Sequence, residues 1–390
     1  MARSPAVRAL GTGHSFNAIA DTDGVLLSTA DLPATLVLDP DTDTVTVGAG
    51  LRFGEFTGVL HEAGRALHNF GSLPHISVAG ACATGTHGSG TGNGTLASAV
   101  RALELVTADG SLRRIEHGDP DFPGSVVSLG ALGVVTRLTL ATVPAFDVRQ
   151  AVYENLPHAQ LREAFAEVMA SAYSVSLFTG WRGPLIEQVW LKHRVEIPDP
   201  SPLHERWLGA VLADGPRHPV PAMPARSCTP QGGSSGPWHA RLPHFRLEHT
   251  PSSGAELQSE FFVASEHAVA AFDALHRVRR GFAPRLQIGE IRTVAADEHW
   301  LSPAQGRPTT AFHFTWLPGE SELRGALRVV EEALAPFDAR PHWGKLFGAD
   351  AGRLRALYPR HGDFERLLFR HDPSGKFRNA YVRRLFPGAG

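Results

Sequence analysis

Short runs of alternating apolar and polar residues, separated by turn residues, fill the first 145 positions of the chain. Residues 36–38 and 45–47 flank an Asp-Thr-Asp turn, and residues 101–106 and 112–115 flank an Asp-Gly turn. Two extended runs around a polar turn are typical of a β-hairpin. The pattern therefore predicts two hairpins in this part of the chain.

A helix and a further strand complete the pattern of the first part. The helix ends at Gly64, a residue type that favours helix C-termini. A glycine-containing run over residues 128–136 leads into a strand with alternating leucines. These elements predict an α+β domain built around glycine loops. The apolar stripe of its predicted helix consists of Phe56, Val59, Leu60 and Ala63.

The pattern changes from about residue 146, where longer strands alternate with two well-marked helices. The first helix begins after Ser265, the second begins after Ser321, and the second ends at Pro336. This half predicts a separate domain, an antiparallel sheet with helices on one face. The candidate strands are residues 173–181, 188–194, 257–263, 286–294 and 310–316. The helical stripes are Val269, Phe272, Leu275 and Val278, then Leu323, Leu327, Val330 and Leu334.

Two segments stand outside this regular pattern. Residues 197–241 are rich in Pro, Gly and Ser and predict a long surface excursion. Residues 71–94 carry seven glycines among Ser, Thr and His, and contain no charged side chain other than the histidines. Such a segment has little apolar area with which to build a core, but its backbone N–H groups can approach an anion closely. It favours a phosphate-bearing cofactor, and the alternative is a flexible linker.

Composition narrows the class of protein. The chain has 390 residues, 43% of them apolar, and a formal net charge of −2. It lacks the basic balance of a nucleic-acid-binding protein and a membrane-spanning apolar run, and we expect no secretory signal. Its two cysteines, Cys82 and Cys228, cannot form a disulfide framework. We expect a globular cytoplasmic protein of one large or two smaller domains, with both thiols buried.

Strand geometry groups one set of polar residues. Glu290 and Arg292 are two residues apart in one predicted strand, and His313 and Thr315 in another, so each pair lies on one face. The aromatic residues at 312, 314 and 316 take the opposite face. If the strands pair, a polar cluster forms that is typical of a pocket. The alternative is a solvated outer face with a surface ion pair.

Two further positions are candidates for chemistry. His14 lies between small residues in 11–17 (GTGHSFN), where it could react with a ligand or could be an ordinary loop histidine. This segment lacks the third glycine of a dinucleotide fingerprint, so a nicotinamide Rossmann domain is disfavoured. Lys345 lies in a mainly apolar run, where a lysine is either paired at a site or extends to the surface. No metal-ligand spacing and no serine-hydrolase elbow are present.

Six motifs in order give a resemblance that extends from about residue 8 to the C-terminus. Together they resemble the alditol (xylitol) oxidases, a branch of the vanillyl-alcohol-oxidase type of FAD flavoproteins that also holds the D-arabinono-1,4-lactone oxidases. Members usually begin with some thirty further residues, so either the start of the chain was assigned too late or an N-terminal edge element of the flavin domain is missing here. The motifs are residues 11–17 (GTGHSFN), 72–80 (SLPHISVAG), 84–88 (TGTHG), 290–294 (EIRTV), 342–345 (HWGK) and 372–379 (DPSGKFRN).

The resemblance implies a two-domain fold with a PCMH-type FAD-binding domain at 1–145, a substrate or cap domain at 146–350, and a C-terminal segment at 351–390 that returns to the first domain. It implies FAD attached covalently at His14. The implied cofactor-binding set is Leu10, Gly11, Thr12, Gly13, His14, Ser15, Gly71, Ser72, Ser77, Gly80, Thr84, Gly85, Thr86, His87, Val135 and His342. The implied substrate-binding and catalytic set is Ser72, Glu290, Arg292, His313, Thr315 and Lys345.

The implied activity is oxidation of a terminal primary alcohol of a sugar alcohol to the aldehyde, with O2 reduced to H2O2. His313 and Lys345 would assist deprotonation, Glu290 and Arg292 would orient hydroxyl groups, and Gly71 would leave O2 a path to the flavin ring. We expect a monomer with no metal. Two alternatives stay open: an aldonolactone oxidase or dehydrogenase on the same scaffold, and a truncated, non-catalytic remnant.

Overall fold

The computed structural model describes residues 3–195, 203–249 and 256–389. The described part of the chain combines helices with mainly antiparallel sheets, as expected for the α+β class. The described helices are α1 (Phe53–Glu62), α2 (Val78–Ala83), α3 (Phe122–Ser125), α4 (His158–Glu163), α5 (Phe165–Ala170), α6 (Ala268–Val278), α7 (Glu320–Leu334), α8 (Ala351–Leu357), α9 (His361–His371) and α10 (Ala380–Leu385).

The strands form two main sheets and two small two-stranded ones. They are β1 (Val7–Leu10), β2 (Val25–Ser28), β3 (Leu36–Asp39), β4 (Thr44–Gly48), β5 (Arg65–Ala66), β6 (Val100–Val106), β7 (Leu112–Glu116), β8 (Val134–Ala141), β9 (Val143–Pro144), β10 (Asp147–Pro157), β11 (Ser174–Thr179), β12 (Leu185–Val195), β13 (Arg206–Trp207), β14 (Ala210–Leu212), β15 (Ser235–Pro237), β16 (Leu257–Ala264), β17 (Leu286–Val294), β18 (Thr309–Trp316) and β19 (Arg340–Pro341).

The first main sheet has the strand order β3-β4-β8-β6-β7. Both predicted hairpins are confirmed, because β3 pairs antiparallel with β4 and β6 with β7. Helix α1 also forms where its stripe predicted it, and Phe56 and Leu60 are buried, but Val59 is 49% exposed. The hydrophobic core on this sheet includes side chains from α8, α9 and α10, so the end of the chain packs against the first domain. The domain boundaries at 145 and 350 stay predictions.

The second main sheet has the order β13-β14-β10-β12-β11-β17-β18-β16-β19, with β15 beside β10. All five candidate strands are confirmed, as are the two helices α6 and α7. One face of the sheet builds a second core with these helices, through alternate residues such as Phe312, Phe314 and Trp316. The start of α7 differs from the prediction: the helix begins at Glu320, so Ser321 lies inside it instead of preceding it.

Two predictions about irregular segments were wrong. The glycine-rich segment contributes to the core, because it contains α2, whose Val78 and Cys82 are buried. The excursion at 197–241 is not confined to the surface: Trp238 is fully buried in the first core. Residues 197–202 of that excursion lie outside the described residues. Strand β10 and helices α8 to α10 carried no clear signal in the sequence.

Candidate active site

A row of three ionisable side chains crosses the middle of the second sheet. Glu260 on β16 pairs in register with His313 on β18, and His313 pairs with Glu290 on β17. Residues that are opposite one another in a sheet project from the same face. Thr315 and Arg292 lie two residues further along their strands and share that face. The polar cluster predicted from strand alternation therefore forms, and a second carboxylate joins it.

Glu260 is the centre of this cluster and is 1% exposed. Its Oε1 accepts a hydrogen bond from Arg292 Nη2 at 2.7 Å and lies 3.2 Å from His87 Nε2. Its Oε2 accepts from Lys345 Nζ at 2.8 Å. Because charge-assisted hydrogen bonds occupy both oxygens, Glu260 holds a guanidinium and an ammonium beside each other in a dry site. The hydrogen bond to Glu260 also explains why Lys345 can lie in a mainly apolar run of the sequence.

One carboxylate oxygen of Glu290 has a close hydrogen-bond partner, and the other has only more distant neighbours. Its Oε1 lies 2.8 Å from His244 Nε2. Its Oε2 lies 3.5 Å from Arg292 Nε and 3.7 Å from His313 Nδ1, beyond normal hydrogen-bond length. Arg292 is thus shared between two buried carboxylates, and it also donates from Nη1 to Ser72 Oγ at 3.3 Å.

The charges in the cluster compensate one another. Burial by itself would raise the pKa of Glu260, but Lys345 and Arg292 outweigh it and hold that pKa well below its ordinary range. Burial opposes ionisation of Glu290 in the same way, and Arg292 and His244 again hold its pKa well below the ordinary value. Burial lowers the pKa of Lys345, although Glu260 opposes the shift. Both carboxylates are ionised at neutral pH and face two cations.

The histidines of the cluster are neutral at pH 7. Burial and the nearby Lys345 lower the pKa of His313 to about 4. The same two causes hold the pKa of His342 well below its usual range. His313 Nε2 lies 3.1 Å from Gln258 Oε1. A neutral imidazole keeps one nitrogen free to accept a proton, which is the requirement for a general base.

Residues 11–17 form a loop that reaches the cluster from the first domain. The side chain of Asn17 donates from Nδ2 to the carbonyl oxygens of Trp343 and Lys345, at 2.8 and 2.7 Å. The backbone N–H of Phe16 donates to Gly344 O at 2.7 Å. The loop that carries His14 is therefore bonded directly to the segment that carries Lys345. His14 itself is exposed, and partial desolvation and His75 lower its pKa.

The glycine-rich segment approaches the cluster from the same side. Ser72 reaches Arg292, and His87 reaches Glu260. Thr84 and Thr86 face each other with their hydroxyl oxygens 3.1 Å apart. Val135 lies elsewhere: it is on β8 and packs against the first core. The structure thus brings the predicted substrate residues together beside predicted cofactor residues such as Ser72 and His87, whereas Val135 is not part of the charged cluster.

Sequence reasoning missed four residues of the site: Gln258, Glu260, His244 and Lys192. A signal existed for the first two, because Gln258 and Glu260 alternate along a strand that was itself predicted. His244 lies in an irregular segment and gave no signal. Lys192 lies in a predicted strand, but nothing in its sequence context distinguishes it from a solvated residue.

Comparison with known proteins identifies the class of protein to which this chain belongs. A sequence profile described as FAD binding domain matches residues 2–116, and a profile described as D-arabinono-1,4-lactone oxidase matches residues 258–385. The cholesterol oxidase of B. sterolicum superposes with a TM-score of 0.77 over 98% of this chain and 90% of that chain, at 15% identity, and so shares the fold. The chain is an FAD-binding oxidoreductase with the fold expected from its sequence.

Individual relatives narrow the family further. The chain is 54% identical, over 96% of its length and 89% of the relative, to the alditol oxidase of Streptomyces sp. (strain IKD472 / FERM P-14339). It is 32% identical, over 98% of its length and 91% of the relative, to the L-gulono-1,4-lactone dehydrogenase of Mycobacterium tuberculosis. The chain belongs to the alditol oxidase family, which confirms the resemblance drawn from its motifs.

The residues present fit FAD. Among the described residues, the backbone N–H groups of residues 11–15 have no protein acceptor. Gly13 has a φ of +68°, which turns consecutive N–H groups toward one point. A Cβ at Gly11 would lie 2.3 Å from Ser77 Oγ, and one at Gly80 would lie 2.9 Å from it, so only glycine leaves this cradle open. Free donors around a narrow cradle suit a pyrophosphate.

The described part of the chain was also compared with the requirements of a membrane span and of a metal site. None of its helices combines the length and the apolar character needed to cross a bilayer. No group of three or more His, Cys, Asp or Glu side chains there is arranged to hold a metal ion.

Proposed function

We propose that the protein oxidises the terminal primary alcohol of an alditol to the aldehyde, with reduction of O2 to H2O2. The alcohol loses two electrons and two hydrogens, one hydrogen from the carbon and one from the hydroxyl, and one O2 gains them as H2O2, so the reaction balances without another reactant. The observation that carries the proposal is the buried cluster of Glu260, Glu290, Arg292, His313 and Lys345 beside the loop of His14. The 54% identical alditol oxidase supports the same reaction.

The cluster suits a polyol because every carbon of a sugar alcohol presents a hydroxyl that both donates and accepts. The more open Oε2 of Glu290 accepts from one hydroxyl, and the guanidinium of Arg292 donates to a neighbouring one. Ser72 and Thr315 offer further hydroxyl partners on the same face. A shorter alcohol leaves some of these buried groups unpaired, which discriminates strongly against it.

Removal of the hydroxyl proton falls to Lys345 and His313. As the ammonium that donates to Glu260, Lys345 cannot accept a proton. Burial lowers its pKa, so the neutral amine that can accept one is reached more readily than in a surface lysine. His313 is neutral at neutral pH, because burial and Lys345 lower its pKa to about 4, and one nitrogen of a neutral imidazole carries a lone pair. General base catalysis of this kind contributes a factor on the order of 10²–10⁴. FAD, when bound, supplies the two-electron acceptor and returns the electrons to O2.

The covalent link of FAD to His14 is part of this proposal. The imidazole is exposed on the loop beside Lys345, and its lowered pKa favours the neutral, nucleophilic form. Denaturation of the purified protein in acid tests the link. If yellow colour precipitates with the chain, and a His14→Ala variant releases its flavin under the same treatment, the link stands. Complete release from the wild-type protein would contradict it.

A lactone-oxidising activity is the second candidate, because the matched profile over residues 258–385 and the 32% identical relative both point to it. Peroxide production and dye reduction are measured with xylitol, sorbitol, L-gulono-1,4-lactone and D-arabinono-1,4-lactone. The main proposal expects kcat/KM to be highest for an alditol, with peroxide formed. Higher kcat/KM for a lactone reverses the ranking. Purified protein without flavin, or with flavin but no turnover of any of the four, supports the non-catalytic alternative.

We further propose that the protein is a monomer and that it works in the cytoplasm. Cys82 and Cys228 are free, buried thiols, a state that a reducing compartment preserves. Size-exclusion chromatography with light scattering measures the molecular mass, for which we expect the value of one chain, 41.9 kDa.

A further inference from the structure

A buried lysine lies behind Glu290, on the side away from Lys345. Lys192 on β12 is 1% exposed. Its Nζ donates to Leu242 O, to Pro243 O at 3.1 Å and to His244 Nδ1 at 3.0 Å. These three partners surround the amino group, so Lys192 has no donor left for a substrate. A lysine in this position is expensive to bury, and its partners indicate that it acts on His244.

His244 connects this lysine to the substrate face. Its Nε2 lies 2.8 Å from Glu290 Oε1, and its ring packs edge-on against Phe178 and Trp190. Its backbone is anchored separately, because its N–H donates to Ser72 O at 3.0 Å and its carbonyl accepts from Thr229 N at 2.9 Å. The side chain can therefore be changed while the backbone keeps its attachments.

The direction of these hydrogen bonds fixes the tautomer of His244. The ionised carboxylate of Glu290 can only accept, so His244 Nε2 must donate to it and Nδ1 must accept from Lys192 Nζ, the pKa of which burial lowers to about 7. The ring proton then resides on Nε2 and is donated to Glu290 Oε1. Burial and the proximity of Lys192 lower the pKa of His244 to about 4, which agrees with a neutral ring. The other charged or titratable groups that face the pair are Glu290, Arg292 and Cys228.

We propose that Lys192 and His244 form a relay that positions Glu290 for alditol binding. Lys192 donates to Nδ1 of His244, and His244 occupies Oε1 of Glu290, so that Oε2, beside Arg292 and His313, is left for a substrate hydroxyl. Both are positioning residues, since neither touches the substrate. The inference rests on the proposed alditol oxidation and deepens it, because it assigns part of the affinity for the polyol to residues behind the binding face.

Two substitutions of His244 separate positioning from packing. His244→Phe fills the aromatic pocket but donates nothing, whereas His244→Gln retains an N–H that can reach Glu290. For H244F we expect the alditol KM to rise about tenfold or more, the effect of a lost hydrogen bond to a charged group, with a smaller change in kcat. For H244Q we expect KM to return to within about threefold of the wild-type value. Flavin content and Tm are measured for every variant.

Lys192→Met tests the other half of the relay. Without Lys192 Nζ, His244 Nδ1 is left unpaired in a buried site and the ring loses the contact that holds Nε2 toward Glu290, so KM should rise about as much as in H244F. In the H244Q background the tautomer no longer exists, and K192M should change KM less than about threefold. His158→Phe is the matched control, a buried histidine that packs against Phe272 in the core on the opposite face. It should leave KM unchanged.

The outcomes distinguish the relay from the proposed function. If the wild-type enzyme oxidises alditols while flavin-loaded H244F keeps the wild-type KM, the relay is wrong and the function stands. If H244Q is as impaired as H244F, or if K192M raises KM equally in both backgrounds, the tautomer argument is overturned. Loss of Tm or flavin with unchanged KM in the folded fraction would mark a purely structural role and would also overturn it.

Discussion

The two faces of the ten-stranded sheet use alternate residues of the same strands in opposite ways. On β18, Phe314 stacks on Trp316 with centroids 5.4 Å apart and belongs to the core beneath α6 and α7. Its neighbours His313 and Thr315 point to the other face, toward the buried carboxylates Glu260 and Glu290. A shift of one residue in register would exchange a packed core for a charged cluster.

The difference shows how each face obtains its partners. Apolar burial is non-directional, so the core face needs only the right volume, which strands and helices of its own domain supply. Each ion on the polar face needs a specific partner, and those partners come from distant parts of the chain, such as His87, His244 and Lys345. The core face should thus govern stability and the polar face activity.

Lys345→Met should give the largest effect on the polar face. The substitution removes the ammonium that faces Glu260 and keeps a side chain of similar length. We expect kcat/KM for the alditol to fall by a factor on the order of 10²–10⁴, with flavin still bound. Steady-state peroxide production and the flavin absorbance spectrum measure the two quantities. Activity within about tenfold of the wild type would remove Lys345 from the proton-transfer step.

Phe314→Ala should give the opposite result on the core face. The ring is fully buried between Trp316 and Phe282, so its loss leaves a cavity. We expect the free energy of unfolding to fall by about 3–5 kcal/mol. The KM and kcat of the folded, flavin-loaded fraction should stay at the wild-type values. Chemical denaturation and steady-state kinetics on the same preparation provide the measurements, and a large change in KM without a loss of stability would break the comparison.

A third prediction concerns acid stability. His313 has a pKa near 6.5 when unfolded and about 4 when folded, because burial and Lys345 disfavour its charged form. The unfolded chain binds the proton more readily between these values, so stability is full above pH 6.5 and is lost as pH falls toward 4. A shift of this size corresponds to about 3 kcal/mol at most.

Comparison of the wild type with His313→Asn isolates this contribution. The variant lacks the titrating ring, so its Tm should fall less steeply between pH 6.5 and pH 4 than that of the wild type. Scanning calorimetry at constant ionic strength measures both slopes. Equal slopes would mean that His313 is not the neutral, buried base that the polar face requires.

Much of this contrast could be predicted from the sequence, because alternation with a period of two separates the faces of a strand. That rule placed Glu290, Arg292, His313 and Thr315 on one face, and it would equally have placed Glu260 there. The same rule cannot place His244, because this residue lies in an irregular segment and contacts Glu290 only in the folded structure. Partners of buried ions are specified by tertiary contacts, which sequence spacing does not encode.

The helices and strands that the sequence did not predict were also missed for physical reasons. Helix α2 lies in a glycine-rich segment, where composition suggests open loops, but Val78 and Cys82 are enough to bury one short turn. Strand β10 carries a buried polar residue, Gln150, whose amide donates to Pro230 O at 3.2 Å, so the strand lacks a clean alternation of apolar and polar residues. The fold of regular amphipathic segments could thus be predicted, whereas elements with internally satisfied polar groups could not.

The smallest effect is expected at Gly71, which adjoins the polar face from the first domain. A Cβ at this position would lie 3.7 Å from Ile76 Cδ1 and 3.8 Å from both His87 O and Thr86 Cγ2, all ordinary contacts. Gly71→Ala should therefore change the free energy of unfolding by less than about 0.5 kcal/mol. Reduction of the flavin by the alditol should also proceed at the wild-type rate, because the charged cluster is untouched.

The Gly71→Ala variant should differ from the wild type in its reaction with O2, because the added methyl group narrows the space beside Thr86 and His87. We expect slower reoxidation of the flavin, measured by stopped-flow absorbance after anaerobic reduction. Gly92→Ala in the same segment is the matched control, because a Cβ there meets nothing within 4 Å. If both variants reoxidise at the wild-type rate, O2 does not pass Gly71. If Gly71→Ala slows the reductive step instead, the position contacts the alditol, and the polar face extends further toward the first domain than its charged residues indicate.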